Sequence, residues 1–391
     1  MHRYLAKIAI ISSCLFLSYS SHGQWAFSEL NVAHQYDENA EVSLKAQVTV
    51  KDDSIVILAA LKLNLKDVTK DDYNFEVYTP LDLNQKLTQP TSIDTSWLGS
   101  TSDHQLYKIT TAYNNRKWVI LRVISIKSGF SFYHEYPISI THNADFVIKN
   151  RDLPVVSSYL KPGSYQANST LSAFYYSYGF DHALPPMITR APLPSKGFNV
   201  DSTFRIEANV PFKLQKSGLY YFQEDTSKMI GRGATVYHKY FPELAKLSHL
   251  IEPLVYITTK AEKERLDEIE TKKEFDQFWL DLTQSPQRAK KIIKEFYDRV
   301  EYANEIFTTF KEGWKTDRGM IYIIFGTPDE LLKTDTEEVW VYAGNNRQQR
   351  IKFRFLKTDN IFSSSHYTLI RDKKYDSVWF RAVDAWRKSR F

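Results

Sequence analysis

The sequence predicts a chain of mixed class: one or two N-terminal antiparallel β-sandwich modules, then a C-terminal α+β domain of helices plus a small antiparallel sheet. Three observations predict it. Residues 25 to about 150 hold short runs that alternate apolar and polar, separated by turn residues, which is the period of half-buried strands. Six prolines (Pro154, Pro162, Pro185, Pro186, Pro192 and Pro194) fall between 150 and 200 and exclude long regular elements there. Helix-start signals and 3.6-residue apolar spacing appear only after about residue 240. The expected division is a leader over 1–23, a β-sandwich over 24–150, a Pro-rich connection with a second β module over 151–240, and the α+β domain over 241–391.

The first element is a secretory leader. Arg3 and Lys7 supply a basic start, Ile8 to Leu17 an apolar stretch, and Ser21-His22-Gly23 a small-residue cut site, so the exported chain is expected to begin at Gln24. The apolar run is shorter than the ~20 residues a membrane span needs. Cys14 is the only cysteine and lies inside this leader. Ile11-Ser12-Ser13-Cys14 is a loose lipid-attachment pattern, but a cut there leaves almost no apolar stretch, so a lipid-free start at Gln24 is the expectation. That start removes disulfides, thiolate nucleophiles and Cys-ligated metals from consideration. It also lowers the formal charge from +5 to +3, because Arg3 and Lys7 go with the leader. The remaining Lys and Arg are interleaved with acids, and no basic arm for nucleic acid exists. Aromatic residues make up 15% of the chain, which suits cross-strand pairs and half-buried faces in a β protein.

Strands are expected over Val42–Val50, Ile55–Leu65, Tyr73–Tyr78, Gln105–Ile109, Trp118–Ile126 and Tyr136–Ile140. Asp52-Asp53 turns the first pair. Short strands at this spacing predict an antiparallel sandwich, with one face buried and one solvated. The second β module is expected to use Phe204–Val210, Gly218–Gln223 and Ala234–Tyr237, with the Pro-rich stretch as connection and edge strands.

Helices follow. Thr259-Lys260-Ala261-Glu262 and Thr271-Lys272-Lys273-Glu274 are capping boxes, in which hydroxyl and carboxylate satisfy the free N–H groups of a first turn. The second opens a helix bearing Phe275, Phe278 and Trp279. The longest helix is expected from about Gln287 to Phe310, because Phe296, Val300, Ala303, Phe307 and Phe310 form one apolar stripe. Met320–Phe325 reads as a strand, joined by Val339–Ala343, Arg350–Leu356 and Tyr367–Ile370. Ser377–Arg390 reads as a closing helix.

Gly313-Trp314-Lys315-Thr316-Asp317-Arg318-Gly319 links the long helix to that strand. The expected reading is a shaped turn. Gly313 is a C-cap with positive φ, Trp314 packs beneath, and Thr316 and Asp317 bond local backbone. The competing reading is a binding loop with Trp314 as platform. Gly326-Thr327-Pro328-Asp329-Glu330 reads as a helix start with Pro328 at the first helical position. Together with Phe241-Pro242, Ile251–Thr259, Asp276 to Trp279, and Tyr297, Arg299, Tyr302 and Asn304, the run resembles the GWxTD domain, a C-terminal module of exported proteins from Gram-negative bacteria. The order of motifs is kept; the link from Asp281 to Arg288 is shorter than that family's. The resemblance implies architecture and export, and no established activity. Arg299 is expected to pair with Asp317 or, second, with Asp276. Over a short stretch, Gly326-Thr327-Pro328 followed by Trp340 and Tyr342 resembles the small lipoprotein subunit of the outer-membrane β-barrel assembly machinery.

No catalytic set is marked by residue spacing. The histidines lack His-x3-His or His-Glu-x2-His spacing, and Asp52-Asp53 and Asp71-Asp72 lack the calcium-loop pattern. There is no Gly-x-Ser-x-Gly elbow and no phosphate-loop ending at Gly326. The expected function is therefore a non-enzymatic binding or scaffolding component of the cell envelope, periplasmic or at the outer membrane, without cofactor or metal. Expected partners are envelope proteins, with an outer-membrane complex and a glycan as candidates. The alternative is a carbohydrate-binding or carbohydrate-processing protein using exposed aromatics; a further alternative is a hydrolase within the C-terminal domain.

Overall fold

A computed structural model describes residues 25–138, 147–177, 179–190, 198–344 and 350–390. The expected leader and its lipid-attachment alternative lie outside these residues. The N-terminal alternation does form a sandwich. One sheet has the order 42–51, 54–63, 104–112, 94–100, and the other 73–78, 118–125, 131–137, all antiparallel. Its core takes alternate residues of each strand, such as Ile55, Ile57, Ile109, Val119, Leu121 and Val123. The other face is not simply solvated, as alternation led one to expect. Trp118 and Ile120 point away from the sandwich into the C-terminal core, and Leu58, Ala60 and Leu106 pack on Val156. Neighbouring modules cover what a lone sandwich would leave wet.

The second β module pairs a five-stranded sheet, ordered 159–160, 232–236, 218–223, 171–176, 202–206, with a four-stranded one, ordered 153–154, 148–150, 163–167, 212–214. The Pro-rich region therefore contributes more than edges. Leu171–Tyr176 lies inside the larger sheet, between 218–223 and 202–206. Pro162, Pro185 and Pro186 sit outside any strand, and Pro154 sits in the edge strand 153–154.

The C-terminal helices are α1 (Leu247–Ile251), α2 (Lys260–Asp267), α3 (Lys272–Thr283), α4 (Pro286–Phe307), α5 (Asp317–Phe325) and α6 (Asp376–Arg387). Both capping boxes form, with Thr259 accepting from Glu262 N–H and Thr271 from Glu274 N–H. The stripe of α4 is buried at Phe296, Val300, Ala303 and Phe307. Helix α5 corrects the strand expected at Met320–Phe325. Thr316 is its N-cap, its hydroxyl accepting from Gly319 N–H at 3.0 Å. Asp317 through Ile324 are all buried, so no polar face marks the helical period. Gly326, at φ +79°, ends it. The helix expected at Gly326–Glu330 is likewise absent: Glu330–Lys333 is a strand opening the meander 330–333, 337–342, 351–357, 367–369. No helix of the described residues is long and apolar enough to cross a membrane.

The N-terminal segment before the sandwich belongs to the C-terminal core. Phe27, Val32 and Tyr36 join Trp118 and Ile120 in the cluster built around α4, α5 and the meander. Val32 N–H donates to Leu331 O at 2.9 Å, and Asn31 Oδ1 accepts from Leu331 N–H at 2.9 Å.

Candidate functional site

The Gly-Trp-Lys-Thr-Asp-Arg-Gly run sits where α4 and α5 meet. Helix α4 stops at Phe307 because Thr308 turns its hydroxyl back onto Asn304 O (2.6 Å) and accepts from Gly313 N–H (2.9 Å). Gly313 is not the positive-φ cap expected, since the positive-φ glycines are Gly99, Gly129, Gly218 and Gly326. Its role is close approach. A Cβ there would lie 1.8 Å from Ala303 O, and one on Gly319 would lie 1.9 Å from Gly313 O. The first helix, the turn and the second helix thus touch backbone to backbone. Asn304 Oδ1 accepts from Trp314 N–H at 3.1 Å. Trp314 is buried, and Tyr256 OH donates to its carbonyl at 2.9 Å.

Asp317 and Arg318 point inward to different partners. Asp317 accepts from Leu369 N–H (2.9 Å) and both terminal nitrogens of Arg371 (2.5 and 3.2 Å), and Arg371 also reaches Leu184 O. Arg318 donates to Glu338 (3.1 Å), Tyr36 OH (3.1 Å) and Ser365 O, its guanidinium against the Tyr367 ring. Lys333 continues the network to Glu135 (2.7 Å), Gln35 (2.6 Å) and Glu338 (3.4 Å). Glu338 is fully buried and also accepts from Tyr36 OH (2.8 Å) and Trp340 Nε1 (3.1 Å). Burial alone would raise the Glu338 carboxyl, but Lys333 and Arg318 outweigh it and hold it below its usual range. Burial opposes the Arg318 charge, and Glu338 and Tyr36 more than restore it. Burial and the Glu338 charge push the Tyr36 phenol up to about 12. A buried pair of this kind fixes geometry more than it adds stability.

The pairing expected for Arg299 is not made. Arg299 bonds Glu295 on its own helix at 3.0 Å, donates to Ile323 O at 3.3 Å and lies over Trp386 at 4.9 Å. Asp317 is taken by Arg371, and Asp276 sits exposed with Lys272 at 2.6 Å. Tyr302 packs on Tyr322, Trp279 is buried against Phe278 and Tyr297, and Pro328 is buried. Asp329 is exposed and accepts from Ala343 N–H at 2.7 Å. Gly326 O accepts from Tyr342 OH at 2.8 Å. Sequence reasoning missed Glu338, Lys333, Tyr36, Glu135 and Arg371. One signal was available: Glu338 is in strand phase with Trp340 and Tyr342, so it shares their buried face.

The network floors a polar cleft of about 350 Å³ where all three modules meet. The first sandwich lines it with Lys45, Gln47, His134 and Glu135, the second β module with Ser157 and Arg232, and the C-terminal domain with Arg318, Glu338, Lys357 and Ser363 to Ser365. Burial holds the His134 ring neutral, well below its ordinary range. Among the described residues no group of three His, Cys, Asp or Glu is arranged to hold a metal ion.

Residues 218–388 match the family model of the GWxTD domain. The match begins before Phe241 and so takes in strands 218–223 and 232–236 of the second β module. No curated protein matches the chain.

Proposed function

Starting from a chain that carries a GWxTD domain over residues 218–388, we propose an exported, non-enzymatic scaffold or binding component of the cell envelope, in the periplasm or at the outer membrane. The observation that carries the reading is the open edge of the first sandwich. Strand Asp94–Ser100 is the last in its sheet, and all its residues except Gly99 are exposed, Trp97 and Leu98 among them. An unpaired edge with outward apolar residues is a template for adding a strand from another protein. A register shift between Trp97 and Gly99 interrupts the edge, so the Asp94–Trp97 half is the part that can continue a ladder. The motif residues fit a frame: Trp314, Asp317 and Arg318 are spent on holding segments together.

The envelope reading is tested by fractionation and intact mass. Recovery at the outer membrane or periplasm, starting at Gln24, is expected. A cytoplasmic chain that retains residues 1–23 would sink it. The edge reading is tested by Trp97→Lys with Leu98→Lys, which should remove cross-linked envelope partners at an unchanged melting temperature. Unchanged partners would show that the edge is not the docking element.

The carbohydrate alternative finds Tyr36, Trp118 and Tyr367 beside Glu135 and Glu338 in the cleft, but those rings are buried and present no free stacking face. Glu338 is held ionised, whereas a glycosidase acid needs a raised pKa. The arrangement favours binding over processing.

A further inference from the structure

We propose that the cleft between the three modules binds an oxyanion group (carboxylate, sulfate or phosphate) carried by a small ligand. The inference stands on the cleft and does not depend on the edge strand. Five cations line the cleft, Lys45, Arg232, Arg318, Lys333 and Lys357, against three carboxylates, Glu135, Glu305 and Glu338. The carboxylates are already committed. Glu338 and Glu135 serve Arg318 and Lys333, and Glu305 is shared between Lys45 (3.7 Å) and Lys62 (3.6 Å).

Two cations remain. Arg232 is held by neutral oxygens alone, Gln47 Oε1 at 2.7 Å and Val155 O at 2.9 Å. Lys357 lies over the Trp118 ring at 4.9 Å. No carboxylate of the described residues lies within ion-pair distance of either. Asp359, Glu135, Asp335 and Glu338 act on Lys357 only from beyond ion-pair distance; a charge taken partly out of water without a close counter-charge is costly, and an anion in the cleft would remove that cost. Burial already pulls the Arg232 guanidinium down to about 10 and lowers Lys357. Arg232 remains cationic at neutral pH.

A second observation points the same way. Arg318 Nε and His134 Nε2, in residues that line the cleft, are buried atoms with no hydrogen-bond partner among the described residues; the two residues are only 5% and 6% exposed. Arg318 Nε carries a hydrogen to donate, and His134 can donate from its Nε2–H tautomer. Ser363 and Ser365 add hydroxyls at the rim, 3.3 Å from each other. Two cations outside any ion pair, two unsatisfied buried nitrogens nearby and flanking hydroxyls make a donor-rich site suited to an anion.

The test is calorimetry on the exported chain with galacturonate, inorganic sulfate and inorganic phosphate, and neutral galactose as control. One anion or more should bind with one-to-one stoichiometry while galactose does not. Lys357→Gln should weaken it about tenfold, the loss of one charge-assisted contact. Arg232→Lys should weaken it too while keeping a cation in place. Galacturonate alone binding assigns a sugar acid; sulfate or phosphate alone binding assigns an inorganic anion or its ester. The inference is overturned if no anion binds at millimolar concentration, or if galactose binds as tightly. It is also overturned if both variants, checked for unchanged melting, bind like the parent.

Discussion

The phenols of the second β module and the buried charges of the C-terminal domain find partners at contrasting distances along the chain. In the β module three phenols bond backbone a few residues away or within the module: Tyr165 to Lys161 O, Tyr220 to Lys216 O, Tyr175 to Ser217 O. Its core cluster otherwise consists of apolar residues from its own two sheets. In the C-terminal domain several charged groups also take partners from outside it. Lys333 needs Glu135 and Gln35, Glu338 needs Tyr36, and Arg371 needs Leu184 O. The difference teaches that the Trp-containing motif is less a site than a keystone. Its charged residues are neutralised within the C-terminal domain, by Glu338 and Arg371, but the network around them closes only when Tyr36, Gln35 and Glu135 are in place.

The largest effect should come from cutting the keystone away. Residues 241–391 alone would lose Phe27, Val32, Tyr36, Trp118 and Ile120 from their core, and Lys333 would lose Glu135. That fragment should show no cooperative thermal transition by calorimetry, and adding residues 25–240 in trans should restore one. A sharp transition for the fragment alone would break the comparison and restore the independent domain that the change of periodicity suggests.

Next come single substitutions in the keystone. Glu338→Gln leaves Arg318 and Lys333 facing each other without their shared counter-charge and should cost about 3–5 kcal/mol by denaturant unfolding. Trp314→Ala should cost a similar ~3–5 kcal/mol through the cavity it leaves. If Trp314→Ala instead kept its stability and lost only partner binding, the motif would be a recognition loop.

How far these features were legible follows from the reach of each signal. Val42–Val50 alternates because one of its faces meets a core, and that is local information. Met320–Phe325 was misread because α5 is buried on every side; β-branched and aromatic residues fill it, and no period remains to separate helix from strand. Thr316, three residues before Gly319, was the cap signal that could have decided it. Pro328 reads as a helix start because Thr-Pro-x-Glu fits one, yet the chain there enters a meander. Glu338 was readable from its phase with Trp340. Tyr36 and Glu135 were not, since nothing local says that residues about 200 to 300 positions away will meet Lys333 and Glu338.

A moderate effect should appear with pH. Burial lowers His34 from 6.5 to about 4 and His366 to about 3. The unfolded chain takes up these protons near pH 6.5, whereas the folded chain refuses them until about pH 4 and 3. Their contribution is therefore fully present above pH 6.5 and is lost as pH falls toward those values. Melting temperature should drop between pH 6.5 and 4, and His34→Gln should flatten part of that drop. An identical slope in the variant would mean that His34 protonates freely in the fold.

The smallest effect is the most discriminating. Arg299 lies between the helix surface and the core, with its side chain 19% exposed and Glu295 44% exposed. If Glu295 is its charge partner, a double-mutant cycle of Arg299→Met with Glu295→Gln should give a coupling of only about 0.3–0.5 kcal/mol, as for other surface pairs one helical turn apart. The larger part of any loss in Arg299→Met should come from the stacking over Trp386 and the bond to Ile323 O. The cycle with Asp317→Asn should be additive within roughly 0.5 kcal/mol, because Asp317 is held by Arg371. A coupling of several kcal/mol between Arg299 and Asp317 would move Arg299 into the keystone and redraw its boundary. Additivity there, beside strong coupling of Asp317 with Arg371, would confirm that neighbouring charges of one motif serve separate joints: Asp317 ties α5 to the last strand of the meander, and Arg318 ties α5 to the N-terminal segment.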